Sequence, residues 1–216
     1  MAHLEERMVA IARPTAPDES LEAVYRAGAA DARSGAVIAP PHPLYGGSLE
    51  SPVVNELSWA AAKSGIPSIA FNWRGVGASA GAPSGEPADA DEDYSAALAH
   101  LEETVAGPII ACGYSFGSAA AVRVAEVNAL GRIHRLVLVT PPPALIDPER
   151  IANLSQSVLV IAGGDDTLVP KDVVSEALLD APGVVFEVIR GADHFFMSGL
   201  RPLGQIVQHW LAGDEG

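Results

Sequence analysis

Six short runs of almost continuous apolar residues punctuate the chain. They are GAVIAP (35–40), SIAFNW (68–73), PIIACGY (108–114), RLVLVT (135–140), SVLVIAG (157–163) and VVFEVI (184–189). Each is too short for a helix, and strands covered by helices on both faces read in this unbroken way. Between or after them lie segments of helical character: VVNELSWAAAKSG, DEDYSAALAHLEETV, GSAAAVRVAEVNAL, KDVVSEALLDA and, at the end, LGQIVQHWLAG. Strands alternating with helices imply right-handed crossovers and a mostly parallel sheet, an α/β fold.

Ahead of these runs, RMVAIARP and LEAVYRAG alternate more clearly and have no helix between them, only TAPDES. That pattern predicts an antiparallel hairpin at the sheet edge, for about eight strands in total. GVGASAGAPSGEPADA (75–90) reads as a long surface loop, and no internal repeat is visible. The expectation is a single domain over 1–216.

Composition narrows the setting. The formal net charge is -14, with no cluster of Lys or Arg to offset it, so a nucleic-acid partner is not expected. One cysteine permits no internal disulfide and suits a reducing compartment. MAHLEERMVA has no apolar signal region, and no apolar run reaches the length of a membrane span. A cytoplasmic location, no membrane partner and no metal or cofactor are expected. Oligomeric state is open, and a homodimer is compatible with the sequence.

Two short motifs could carry chemistry. Gly75 to Ala80, GVGASA, matches a relaxed dinucleotide fingerprint, but the fingerprint needs a helix to begin at once. GAPSGEP follows instead, which argues against a nucleotide site. Gly113-Tyr114-Ser115-Phe116-Gly117 is G-x-S-x-G at a strand-to-helix turn. Glycines two positions either side of a serine let such a turn lift the hydroxyl above the sheet. A serine hydroxyl is a weak nucleophile and needs a base with an orienting carboxylate. Later strands are followed by GGDDTLVP, which offers Asp165 and Asp166, and by RGADHFF, which offers His194. All would emerge at the C-terminal ends of parallel strands, where open α/β sheets gather their sites.

With these motifs in place the chain resembles, over nearly its full length, the α/β-hydrolases. The closest likeness is to small, lidless, dienelactone-hydrolase-like bacterial serine hydrolases whose first loop reads HPHPLxGG, here PPHPLYGG. NWRGVGASAG, GYSFGS, GGDDTLVP and GADHFF resemble the family's post-strand, nucleophile, acid and histidine loops. The resemblance implies an α/β-hydrolase fold without a cap domain, since only PPPALIDPERIANLSQS separates the strands near 140 and 157. It implies Ser115 as nucleophile, Asp166 rather than Asp165 as the acid, and His194 as the base. It also implies an oxyanion hole from the N–H of Phe116 and that of Leu44, with Tyr45 the alternative. The family's usual Asp before aromatic-Arg-Gly is Asn72 here, at a position that is not catalytic in the family.

The expected activity is therefore a carboxylesterase acting on small or short-chain esters through an acyl-enzyme. Thioesterase, acyltransferase, perhydrolase and peptidase use of the same groups, and a catalytically silent binding scaffold, are the rivals. Tyr45, Trp73, Phe195 and Phe196 are the expected pocket walls. Cys112, inside the strand before the turn, reads as a buried small hydrophobe. His42 reads as a structural hydrogen-bonding residue, Asp193 as a turn residue, and His3, His100, His134 and His209 as ordinary surface or core residues.

Overall fold

The apolar runs become strands in a computed structural model, which describes residues 5–128, 131–178 and 181–213. The strands are β1 (Glu6–Arg13), β2 (Ala16–Arg26), β3 (Gly35–Ala39), β4 (Ser68–Phe71), β5 (Ile109–Tyr114), β6 (Ile133–Val139), β7 (Ser157–Gly163) and β8 (Val184–Ile189). They form one eight-stranded sheet in the order β1-β2-β4-β3-β5-β6-β7-β8. From β4 to β8 all pairings are parallel, whereas β1 with β2 and β2 with β4 are antiparallel. Every residue of β3, β4 and β5 is buried, as the unbroken apolar runs require of central strands. At the edges β1 and β8 mix buried and exposed positions.

Helices α1 (Pro52–Lys63) and α6 (Leu200–Ala212) cover one face through Val53, Leu57, Leu203 and Val207. The other face is covered by α2 (Pro87–Glu102), α3 (Phe116–Val127) and α5 (Lys171–Leu178), through Tyr94, Leu101, Val122 and Val174. Both layers are built around small residues; Ala119, Ala120 and Ala121 let α3 lie close to the sheet. A short α4 (Pro148–Ala152) completes the helices; it starts with the Asp147 side chain accepting the Glu149 N–H and with Pro148 in the first turn. It is all that the interval between β6 and β7 holds, so there is no cap domain. No helix among the described residues is long and apolar enough to cross a membrane.

Three boundaries differ from the sequence reading. The hairpin turn is only Pro14-Thr15, because β2 already begins at Ala16, inside TAPDES. Helix α2 begins at Pro87, inside the expected loop, since proline at the first helical position has its φ preset and no hydrogen bond to lose. Helix α6 begins at Leu200 for a related reason, with Pro202 still in the first turn. The stretch from Gly75 to Ala80 closes on itself through Gly75 N–H to Ala80 O (3.0 Å), and no helix follows until Pro87.

This topology has one switch point. The chain leaves β3 toward β4 on one side, then crosses to β5 on the other, so the C-terminal ends of β3 and β5 open a crevice between them.

Candidate active site

Ser115 sits where β5 turns into α3, with φ 53° and ψ -114°. A non-glycine residue there is strained, and the neighbours hold it in place. Its N–H donates to Val139 O (2.8 Å), and the Ser118 hydroxyl donates to Gly113 O (2.7 Å) and Val139 O (3.1 Å). The flanking glycines are required by close approach. A Cβ on Gly113 would lie 2.2 Å from Gly117 O, and one on Gly117 would lie 2.5 Å from Ala39 O.

His194 Nε2 lies 3.2 Å from Ser115 Oγ, and its Nδ1 lies 2.8 Å from Asp166 Oδ2. The other Asp166 oxygen accepts the N–H groups of Leu168 (2.9 Å) and Val169 (2.8 Å), which fixes the carboxylate in a fully buried position. The loop after β8 is pinned from the sheet: the Tyr114 hydroxyl donates to His194 O at 2.8 Å. That tie comes from the residue before Ser115, and nothing in the sequence pointed to it. Asp165 is exposed, its backbone N–H donating to Ala192 O, and Asp193 accepts the Met197 N–H in a turn. Buried Cys112 has its thiol pKa pushed up to about 12 by that burial. His100, His134 and His209 lie away on α2, β6 and α6, and His3 is outside the described residues. Among the described residues no three His, Cys, Asp or Glu side chains gather to hold a metal ion.

In the loop after β3 both N–H groups expected as second oxyanion donors have acceptors within the loop. Leu44 N–H donates to His42 Nδ1 (3.2 Å), starting a 3-10 turn at Pro43–Tyr45, and Tyr45 N–H donates to His42 O (3.1 Å). Gly46 and Gly47 N–H groups are also taken inside the loop, by Pro43 O and His42 O. Pro40, Pro41 and Pro43 have no N–H to give. Over 40–47 this leaves the His42 N–H, for which no acceptor is found among the described residues. The His42 and Phe116 rings are 4.6 Å apart, so the His42 side chain borders the start of α3.

Two expected pocket walls are core residues instead. Trp73 is 1% exposed, stacks edge-on against Phe116 at 5.5 Å and donates from Nε1 to Pro40 O (3.2 Å) and Pro41 O (3.0 Å). It supports the loop after β3 from beneath. Phe196 is fully buried: a φ of 52° turns it inward, against Tyr114 and the α1–α6 layer. Tyr45 (87% exposed) and Phe195 (60%) stay on the surface beside His42 and His194 respectively; exposed Leu44 lies on the loop of Tyr45, and exposed Leu168 on the loop after β7 that carries Asp166.

Asn72 has a structural reason for its amide. Oδ1 accepts the Leu49 N–H (2.8 Å), and Nδ2 donates to Glu22 Oε2 (2.8 Å), so the buried side chain ties the loop after β3 to β2. Aspartate would lose the donor and face Glu22 with a like charge. Asn72→Asp is expected to lose about 1–3 kcal/mol in urea denaturation at neutral pH. An unchanged midpoint would remove this explanation of the asparagine.

A model of the alpha/beta hydrolase family matches residues 42–157, more than half of the chain. Among solved structures the chain is similar to an alpha-beta serine hydrolase homologue from Coxiella burnetii. The TM-score is 0.83 at 28% identity, covering 95% of this chain and 97% of that one. It also shares its fold with a serine hydrolase without a lid from Xanthomonas campestris, with TM-score 0.82, 24% identity and coverage of 96% and 94%. An uncharacterized protein of Rickettsia prowazekii is 25% identical over 209 residues, 90% of this chain and 85% of the other.

Proposed function

The chain belongs to the alpha/beta hydrolase family, and on that basis we propose that it is a carboxylesterase, cleaving small or short-chain esters through an acyl-enzyme on Ser115. One observation carries the reading: Ser115 Oγ, His194 and buried Asp166 form a continuous hydrogen-bonded line, with steps of 3.2 and 2.8 Å, at the switch point of the sheet. A base within hydrogen-bond reach of the nucleophile, itself oriented by a carboxylate, is the arrangement serine acyl transfer needs.

Ser115 Oγ attacks the ester carbonyl carbon as His194 Nε2 takes the hydroxyl proton. Asp166, accepting a hydrogen bond from Nδ1–H, holds the required tautomer and stabilises the imidazolium. The oxyanion is met by the N–H groups of Phe116 and His42, each worth roughly 3–4 kcal/mol in such a site. His194 then passes its proton to the leaving alcohol as the C–O bond breaks. Water attacks the acyl-enzyme, gives its proton to His194, and Ser115 recovers a proton as the acid departs.

An open site without a cap and with exposed Leu44, Tyr45, Leu168 and Phe195 on its loops favours a short apolar acyl group over a long chain that needs a tunnel. On p-nitrophenyl esters from acetate to decanoate, kcat/KM is expected to be highest among the shortest chains and to fall by decanoate. A fluorophosphonate is expected to label Ser115, read by peptide mass. An unlabelled serine with no turnover at any chain length would favour a silent binding scaffold; a preference for thioesters or amides would keep the mechanism and change the substrate class.

A further inference from the structure

The side chain of His42 takes no part in the reaction above, yet this half-buried ring meets Leu44, Tyr45, Phe116 and Gly85. Nδ1 accepts the Leu44 N–H at 3.2 Å, which caps the 3-10 turn at Pro43–Tyr45. The ring centre lies 4.6 Å from that of Phe116 and 4.7 Å from that of Tyr45, tilted against both. The remaining edge meets Gly85: a Cβ there would come within 2.8 Å of Cε1 and 3.0 Å of Nε2. His42 thereby joins three segments, the loop after β3, the start of α3 and the loop before α2.

We propose that the His42 imidazole is a positioning residue for the oxyanion hole, aligning the His42 and Phe116 N–H groups by capping the turn at 43–45 and packing on the Phe116 ring. This rests on the esterase reading. The run Pro40-Pro41-His42-Pro43 has its φ angles nearly fixed by proline at three positions. His42 itself is extended, at φ -62° and ψ 124°, as a residue before proline should be. What remains to be set is the direction in which the following turn closes, and the Leu44 N–H to Nδ1 bond sets it. The acceptor role needs the neutral ring, and burial favours that form by lowering the His42 pKa. Since an oxyanion donor acts on the transition state and not on the bound ester, its misalignment should appear in kcat and not in KM.

Three variants test this with p-nitrophenyl acetate. His42→Leu keeps apolar bulk and removes the acceptor; kcat is expected to fall on the order of tenfold to a hundredfold, with KM within about twofold. His42→Asn restores an acceptor of the Asx-turn type two residues before Leu44 and is expected to recover most of that kcat. Gly85→Ala leaves the imidazole present but pushes its edge, so a smaller fall in kcat is expected, and it reports even if the leucine variant does not fold. Circular dichroism fixes the folded fraction of each. The proposal is overturned by a folded leucine variant with wild-type kcat, by an asparagine variant no better than leucine, or by a fall seen in KM alone. Wild-type protein that a fluorophosphonate does not label would overturn the esterase reading and this role together, whereas labelled wild type beside a fully active His42→Leu overturns only the role of His42.

Discussion

Replacing Ser115 by alanine is expected to lower kcat on p-nitrophenyl acetate by about 10⁴- to 10⁶-fold, and His194→Ala by a similar factor. The Ser115→Ala, His194→Ala double variant should be scarcely worse than either single one. The reason lies in the geometry: His194 Nε2 is 3.2 Å from Ser115 Oγ, and among the described residues the hydroxyl has no other base within hydrogen-bond reach. Asp166→Asn should cost about 10⁴-fold, because an amide opposite Nδ1 favours the wrong imidazole tautomer. Its effect on folding is separable, since Asp166 Oδ1 alone holds the Leu168 and Val169 amides and the asparagine oxygen can keep those bonds. The assay is steady-state hydrolysis with active sites counted by fluorophosphonate labelling. If Ser115→Ala retained more than about a hundredth of the wild-type kcat, the proposed nucleophile would be wrong. Additive losses in the double variant would instead mean that serine and histidine do not act as one unit.

Particular residues explain what the sequence made legible. The central strands could be read because a strand covered on both faces has no polar positions to hide its length, and β3, β4 and β5 are buried throughout. The serine turn could be read because steric necessity reaches sequence directly: Gly113 and Gly117 are positions where a Cβ would strike backbone oxygen. Trp73 and Phe196 could not be placed, because an aromatic just beyond a strand or a histidine looks the same whether the backbone turns it in or out. For Phe196 the outcome hangs on one positive φ. The engagement of the Leu44 N–H could not be read for a related reason. Whether Leu44 offers its N–H outward depends on what the His42 ring accepts, and that contact is invisible to a motif. Long-range ion pairs were the least legible of all. Arg74 was part of a family-like loop, but its partners stand on a helix whose start the prolines and glycines before it obscured.

Those partners make the second large effect. Asp93→Ala is expected to destabilise the fold by about 3–5 kcal/mol, the range for removing one member of a buried pair. The Asp93 side chain is 1% exposed and accepts from Arg74 three times over: the backbone N–H (2.9 Å), Nε (3.0 Å) and Nη2 (2.7 Å). Nε of Arg13, on β1, lies 3.6 Å from the same carboxylate, so alanine would leave two guanidinium groups around an empty centre. Burial alone would lower the Arg74 pKa, but its bonds to Asp93 and Glu92 outweigh burial and raise it, so the charge cannot be shed. Asp93→Asn keeps an acceptor for the Arg74 N–H and should cost less, while adding Arg74→Leu to Asp93→Ala should recover part of the loss by removing one unpaired charge. The effect should reach the site through chain geometry. Arg74 follows Trp73, whose Nε1 holds the Pro40 and Pro41 carbonyls, and the same loop carries Gly85 against His42. At a temperature where the variant is still folded, kcat should therefore fall while Ser115 remains open to fluorophosphonate. Urea denaturation beside that assay separates the two consequences. A loss below about 1 kcal/mol would mean that Asp89 and Glu92 suffice to neutralise Arg74, and that Asp93 is not the anchor of this loop.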